Sequence, residues 1–78
     1  KMVQATSSVK VLRAPMPGTV LDIKVTQGTR VKEGDIVIIL EAMKMENEIT
    51  ATSSGVVSQI LVTKGQVVDT NDKLVLIE

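Results

Sequence analysis

One short segment contains the residues whose side chains could take part in chemistry: Lys44, with Met43 before it and Met45 after it. Strand-like sequence flanks this segment on both sides, so a tight reversal is predicted near Met43 and Lys44. Two-residue hairpin loops favour pairs such as Asn-Gly, because both central residues need a positive φ, and Met-Lys suits such a loop poorly. A break with local rules that nothing nearby compensates indicates a functional constraint. An amine on a projecting turn can accept a carboxylic acid as an amide, and the attached group would then carry the chemistry.

A second interpretation of the same segment is purely structural. A lysine at a hairpin tip is usually a solubilising charge, and methionines beside a turn usually cover the edge of a core. Three carboxylates are predicted to surround the amine, with no histidine as an acid–base partner: Glu41, Glu46 and Glu48. Five further lysines have no predicted role beyond a solvated surface, and these are Lys10, Lys24, Lys32, Lys64 and Lys73.

Composition excludes several classes of function. The chain has 78 residues, which make one small domain or a piece of a longer chain. Nine Lys and Arg against nine Asp and Glu give zero net charge, which argues against nucleic-acid binding because such proteins need a basic surface. There is no His, Cys or aromatic residue, so neither a Ser-His-Asp triad nor a thiolate metal site can be built. The sequence predicts a domain that is not itself an enzyme and has an aliphatic core.

The start of the chain differs in character from the rest. Residues 1–8 are polar and lack the apolar core of a signal peptide, so they are predicted to be a linker or flexible tail, and residues 9–78 to form the domain. The longest apolar run, residues 36–40, has strand length, far below the roughly 18 to 20 residues of a membrane-spanning helix, and predicts no membrane insertion. Without cysteine or signal peptide, the expected location is the cytoplasm, or the mitochondrial matrix if the source is eukaryotic.

The sequence contains an internal repeat. After a shift of 37 positions, residues 14–41 align without a gap on residues 51–78, and ten of the 28 pairs are identical. The identical pairs are Ala14/Ala51, Gly18/Gly55, Val20/Val57, Ile23/Ile60, Val25/Val62, Thr26/Thr63, Gly28/Gly65, Val31/Val68, Asp35/Asp72 and Glu41/Glu78. Glycines at matched places indicate matched turns, and two copies are too few for a solenoid. We therefore expect two like halves that close around one core with quasi-two-fold symmetry.

Alternating polarity and turn residues predict short strands. Leu21, Ile23 and Val25 alternate with Asp22 and Lys24, which is the period of a half-buried strand. No window has the sustained 3.6-residue periodicity of a capped helix. The predicted strands are 9–13, 19–25, 30–31, 36–41, 46–51, 56–62, 67–68 and 73–78. The expected fold is all-β: a flattened barrel or sandwich of about eight short strands, with Lys44 on a hairpin between the halves.

Two motifs of the sequence resemble those of a known family. Glu41-Ala42-Met43-Lys44-Met45-Glu46 is similar to the biotin-attachment signature of biotinyl domains, the carboxyl carrier modules of biotin-dependent carboxylases and decarboxylases. Residues 14–18, Ala-Pro-Met-Pro-Gly, resemble the segment that opens the same domains. The likeness covers about residues 9–78, and the internal repeat is one that the family leads us to expect.

The resemblance implies a role for each residue of the signature. Lys44 would be joined to biotin through an amide by a biotin protein ligase. Biotin would take up a carboxyl group at a biotin carboxylase site and give it up at a carboxyltransferase or decarboxylase site. Met43 and Met45 would shape the hairpin for the ligase and the partner sites, Glu41 would face the ligase, and Ala42 completes the flanking recognition motif.

Other interpretations remain open within the same fold. A lipoyl domain also carries a hairpin lysine, but it normally has Asp before and Ala after that lysine, where this chain has Met43 and Met45. An unmodified β module that only binds a partner is the other alternative. Carriers of bacterial acetyl-CoA carboxylases insert a protruding thumb between early strands, whereas residues 19–28 here match residues 56–65 in length. The resemblance is therefore to thumbless carriers, such as those of pyruvate and acyl-CoA carboxylases and of decarboxylases.

Overall fold

The computed structural model describes residues 9–78, which form eight β-strands and no helix. The strands are β1 (Lys10–Arg13), β2 (Gly18–Ile23), β3 (Arg30–Val31), β4 (Ile36–Ala42), β5 (Met45–Thr50), β6 (Gly55–Ile60), β7 (Val67–Val68) and β8 (Lys73–Ile77). The predicted all-β class is confirmed. In this described part of the chain, no helix is long and apolar enough to cross a membrane. The predicted tail, residues 1–8, lies outside the described residues.

The two sheets share strands between the halves of the chain. One sheet has the order β5-β4-β2-β7 and the other β1-β8-β6-β3, with every pairing antiparallel. β7 comes from the second half but pairs with β2, placing Val67 opposite Thr19. In the same way β3 of the first half pairs with β6, placing Arg30 opposite Val56. Each half therefore needs a strand of the other half to complete its sheet.

Aliphatic side chains fill the space between the two sheets. Six of them have no exposed surface: Val37, Ile38, Leu40, Val57, Leu74 and Val75. No polar or charged residue is buried among residues 9–78. Burying one such aliphatic side chain contributes about 1.5–3 kcal/mol, so this core is the main source of stability. The prediction of an aliphatic core is confirmed.

The 37-residue repeat of the sequence is also a repeat of backbone hydrogen bonding. The Ala14 N–H donates to the Asp72 carbonyl at 2.9 Å, and the Ala51 N–H donates to the Asp35 carbonyl at 2.9 Å. Each bond becomes the other when the halves are exchanged, and each crosses between the halves. The quasi-two-fold arrangement predicted from the repeat is confirmed.

Matched turns account for several of the identical pairs. Gly28 and Gly65 have φ angles of 93° and 91°, a left-handed conformation that glycine adopts without steric cost. Asp35 and Asp72 use their side chains alike, since each Oδ2 accepts a hydrogen bond of 2.8 Å from the backbone N–H three residues earlier. Such local side-chain bonds favour turns over strands, so the repeated residues are those that set the turns.

Strand boundaries differ from the prediction by one or two residues. The second strand was predicted over residues 19–25 and spans Gly18–Ile23. The Lys24 N–H still donates to the Val37 carbonyl at 2.8 Å, after which the chain leaves the ladder for the turn at residues 27–28. Alternating polarity continues past this point, which is why the sequence predicts the strand to be longer.

Candidate functional site

The turn between β4 and β5 consists of Met43 and Lys44. Their φ angles are 55° and 64°, and positive φ at both central residues is the geometry of a type I′ hairpin turn. A non-glycine residue in this left-handed region costs about 1–2 kcal/mol. The predicted tight reversal at Met-Lys is confirmed, although neither residue is of the type that such a turn selects.

The strands on either side hold this turn in place. β4 pairs with β5 through six register pairs, from Ile36 opposite Thr50 to Ala42 opposite Met45. Ala42 is still buried, with 7% of its surface exposed, so the core reaches the last residue before the turn. Residues 36–50, called the Lys44 hairpin below, therefore carry Lys44 just past the edge of the core on a paired backbone.

The side chains of the turn face solvent. Met43 is 91% exposed and Met45 is 66% exposed, and Lys44 between them is exposed as well. Met16, by contrast, packs against the core. The interpretation in which the flanking methionines cover a core edge is therefore wrong. Two apolar side chains held in water beside an amine form a surface suited to contact with another protein.

Three carboxylates lie on one face of the Lys44 hairpin. Glu41 and Glu46 are opposite each other, and Glu48 follows two residues later on β5, so the three side chains share the same exposed face. Like charges directly opposite each other destabilise a strand pair. Among residues 9–78 no ion pair joins any of them to Lys44. The carboxylates predicted to surround the amine thus form an acidic face to one side of it.

Ion pairs form elsewhere, around Asp22 on β2. The Lys24 ammonium lies 3.0 Å and the Lys64 ammonium 3.9 Å from its carboxylate. The hydrogen bond from Lys24 lowers the pKa of the Asp22 carboxyl below its ordinary value of 3.8. Lys24 and Lys64 therefore each have a carboxylate beside the amine, unlike Lys44.

Residues 14–18 lead into β2 and support the β4 end of the Lys44 hairpin. A Cβ atom on Gly18 would lie 2.5 Å from the Glu41 carbonyl oxygen and 3.0 Å from Leu40 Cγ, so only glycine allows β2 to approach β4 this closely. Met16, two residues before Gly18, packs against the core. This motif of the sequence therefore positions the end of β4, three residues before Lys44.

Asn47, which is not among the site residues predicted from the sequence, also contacts the hairpin backbone. Asn47 is opposite Leu40, and its Nδ2 donates to the carbonyl oxygens of Leu40 at 3.4 Å and of Met45 at 3.2 Å. Asparagine is depleted in strands, so an asparagine inside a strand-like segment is the signal that could have identified it.

The site is suited to a covalently attached group. Attachment through an amide requires an exposed primary amine on a fixed backbone, and Lys44 has both, with no ionic partner among residues 9–78. The four-carbon side chain of lysine adds reach and flexibility beyond the turn. In the same described part of the chain, no group of three His, Cys, Asp or Glu side chains is placed to hold a metal ion.

Comparison with known protein sequences agrees with this geometry. A sequence profile of the family described as "Biotin-requiring enzyme" matches residues 10–77. The chain is 49% identical over 71 residues to a biotin carboxyl carrier protein of Streptococcus mutans, covering 91% of this chain and 55% of the relative. It is 42% identical over 78 residues to the mitochondrial propionyl-CoA carboxylase alpha chain of Homo sapiens, covering 100% of this chain and 10% of the relative. The chain thus spans about half of the first relative and about a tenth of the second.

A solved structure has the same fold. The crystal structure of the urea carboxylase of Kluyveromyces lactis superposes with a TM-score of 0.88 at 33% identity, covering 100% of this chain and 7% of that chain. The family profile and the similarity to a biotin carboxyl carrier protein imply biotin as the cofactor, which sets the lipoyl and unmodified alternatives aside. The chain belongs to the biotin-requiring enzyme family, as a biotin carboxyl carrier domain that holds biotin covalently and has no catalytic activity of its own.

Proposed function

We propose that Lys44 is the residue to which biotin is attached, and that the domain carries a carboxyl group between the active sites of a biotin-dependent carboxylase or decarboxylase. The observation that carries this proposal is the turn itself. Met43 and Lys44 both have positive φ, and both point into solvent from the end of a paired hairpin. A structural turn would gain stability from Asn-Gly at these positions, so the residues present answer to another requirement.

The attachment reaction uses the side-chain amine of Lys44 and a biotin protein ligase. The amine, once it has lost a proton to solvent, forms a C–N bond to the carboxyl carbon of biotin that the ligase has activated with a nucleoside triphosphate. The bond from that carbon to the activating phosphate breaks, the phosphate leaves with the oxygen and the electron pair, and the nitrogen loses a second proton. The product is a neutral amide, so the tip of the hairpin loses one positive charge.

The residues beside Lys44 have distinct parts in recognition under this proposal. Met43 and Met45 offer the ligase an apolar surface on both sides of the amine. Glu41 lies on the exposed acidic face of the hairpin, where a basic ligase surface would be attracted to it. Ala42 is small and buried, which keeps the last strand pair close to the core.

Carrier function follows from tethering. Biotin supplies, when bound, a ring nitrogen that can hold a carboxyl group. A carrier linked beside an active site presents its arm at an effective concentration of about millimolar for short flexible linkers. The paired hairpin fixes where the arm begins, which lowers the ordering cost of each productive encounter. Docking must be transient, because tight binding at one site would prevent delivery to the other.

The partners in this proposal are the biotin carboxylase and the carboxyltransferase or decarboxylase components of a parent enzyme. Support comes from the names of the relatives, among which is a propionyl-CoA carboxylase alpha chain. The location that suits such an enzyme is the cytoplasm, or the mitochondrial matrix in a eukaryote.

The test is biotinylation of the chain in the presence of a biotin protein ligase, ATP and biotin. Wild type should gain the mass of one biotin and bind streptavidin, and Lys44→Arg should gain none, because arginine keeps the charge but cannot form the amide. Lys64→Arg and Lys73→Arg are matched controls and should be modified like wild type. Biotin found on another lysine in the Lys44→Arg variant would contradict the proposal.

A further inference from the structure

Resting on the proposed attachment of biotin to Lys44, we propose that Asn47 is a positioning residue for that reaction. Its side-chain amide holds the two strands of the Lys44 hairpin in the register that presents Lys44 to a biotin protein ligase. Asn47 acts through the backbone and touches neither biotin nor the amine.

The contacts of Asn47 join both strands of the hairpin. Asn47 Nδ2 donates to the Leu40 carbonyl oxygen on the opposite strand, β4, at 3.4 Å. It also donates to the Met45 carbonyl oxygen on its own strand, β5, at 3.2 Å. An amide NH2 group has two donors, so a single side chain can make one bond across the hairpin and one within β5, next to the turn.

The turn needs such support because its own residues disfavour it. Met43 and Lys44 both have positive φ, which non-glycine residues rarely adopt. Relaxing them requires a longer loop or a slip of the strand register, and a slip by one residue would turn every side chain of β5 to the opposite face. The bond across the hairpin to the Leu40 carbonyl forms only when Asn47 is opposite Leu40, so the side chain stabilises this register over the alternatives.

The internal repeat indicates that the fold itself does not require this contact. The residue 37 positions before Asn47 is Lys10, which is opposite Ile77 on β8 just as Asn47 is opposite Leu40. Lys10 is exposed, and its ammonium group is too strongly hydrated to replace the asparagine amide between two carbonyl oxygens. The same strand pair therefore forms in the other half without an asparagine, and the contact is added where Lys44 is displayed.

The first part of the test uses NMR to follow the backbone conformation of the turn in the unmodified chain. Wild type should give the strong intraresidue HN–Hα contacts of positive φ at Met43 and Lys44. In Asn47→Ala, and in the near-isosteric Asn47→Asp, whose carboxylate only accepts hydrogen bonds, these contacts should weaken. Amide exchange of residues 43–46 should become about three- to ten-fold faster, because two modest hydrogen bonds are lost. Lys10→Ala, the matched control in the other half, should leave the turn unchanged.

The second part of the test measures ligase kinetics, which separate an effect on the position of Lys44 from an effect on the overall stability of the domain. When only a fraction of molecules has the competent turn, the apparent affinity falls by that fraction. Asn47→Ala should therefore raise the KM of the ligase for the domain about three- to ten-fold, with kcat nearly unchanged. Exchange of the core amides of Val20 and Val57 should remain at the wild-type rate.

A second substitution tests the link to backbone conformation. Asparagine tolerates positive φ better than methionine, so adding Met43→Asn to Asn47→Ala should restore the HN–Hα contacts and slow the amide exchange again. Asn47 variants with wild-type NMR contacts, exchange and KM would overturn the proposal, and so would a double variant without restoration. The NMR measurements use no biotin, so a negative result in them is distinguishable from a failure of biotin attachment to Lys44. In the latter case wild type itself would stay unmodified.

Discussion

The two repeats of the chain, residues 14–41 and 51–78, have the same backbone arrangement and differ in the segments that precede them, residues 9–13 and 45–50. A Cβ atom on Gly18 would meet the Glu41 carbonyl oxygen at 2.5 Å, and one on Gly55 would meet the Glu78 carbonyl oxygen at 2.6 Å. The two glycines are related by the repeat, and so are the two carbonyls. The same close approach of two strands therefore occurs once in each half. The repeated positions are the ones that the fold requires.

The difference between the halves lies on the hairpin that joins them. β5 presents Glu46 and Glu48 on its outer face, while the residues 37 positions earlier are Val9 and Val11. Among residues 9–78 neither glutamate forms an ion pair, and the turn next to them has the unfavourable φ angles of Met43 and Lys44. Unrepeated residues that weaken the local structure thus cluster around Lys44, which is where the proposed function needs them.

The largest expected effect tests the shared backbone at Gly18 and Gly55. Gly18→Ala and Gly55→Ala should each lower the free energy of unfolding by about 2–3 kcal/mol, because the added Cβ meets a backbone carbonyl that can shift only by distorting the strand pairing. Urea denaturation of the two variants checks this. Unequal losses would contradict the view that the halves are equivalent in packing.

The same two variants should differ in biotinylation. Gly18→Ala displaces the Glu41 carbonyl, three residues before Lys44, whereas Gly55→Ala displaces Glu78 at the other end of the domain. Under conditions where both are folded, the KM of the ligase should rise for Gly18→Ala alone. An equal rise in both would show that global stability, rather than the position of the hairpin, governs modification.

The sequence predicts the fold well because the repeat fixes two sets of strands at once. Matched Gly28 and Gly65, with alternating aliphatic residues between turns, leave few architectures for an aliphatic core. The tight turn at Lys44 is predictable for the opposite reason, since it breaks the usual turn chemistry. Asn47 is unusual inside a strand-like segment, but its role could not be predicted, because that role depends on the register with Leu40, and register is a property of the paired strands rather than of either one.

A smaller effect concerns one turn that differs between the halves. Gly34 has φ 94° and its counterpart Asn71 has φ 71°, and no atom lies within 4 Å of a Cβ built on Gly34. Gly34→Ala and Asn71→Ala should therefore each cost about 1 kcal/mol through backbone conformation alone. Gly34→Asn should cost less than Gly34→Ala, because asparagine tolerates this region. Thermal unfolding of the three variants measures the differences, and equal losses for Ala and Asn at residue 34 would refute the conformational explanation.

The smallest effect concerns a charge cluster that the repeat does not duplicate. Asp22 lies 3.0 Å from the Lys24 ammonium and 3.9 Å from that of Lys64, and the residue 37 positions after Asp22 is the uncharged Gln59. Because the pair with Lys64 joins the two halves, the cluster adds an electrostatic link that has no counterpart elsewhere among residues 9–78.

This link should weaken in acid. The hydrogen bond from Lys24 lowers the pKa of the Asp22 carboxyl in the folded state below its ordinary value of 3.8. A lowered folded-state pKa contributes stability above pH 3.8, and this contribution is lost as the pH falls through the folded-state value. Asp22→Asn should therefore be slightly less stable than wild type at neutral pH, and the difference should disappear well below pH 3.8. Because these side chains are half exposed, about 1 M salt should also reduce the difference at neutral pH. Urea denaturation at each pH provides the measurement, with Gln59→Ala as the control in the other half. Asparagine can still accept the 2.9 Å hydrogen bond that the Ile23 N–H donates to Asp22, so a difference that persists in acid would show that the effect of Asp22 does not depend on its charge.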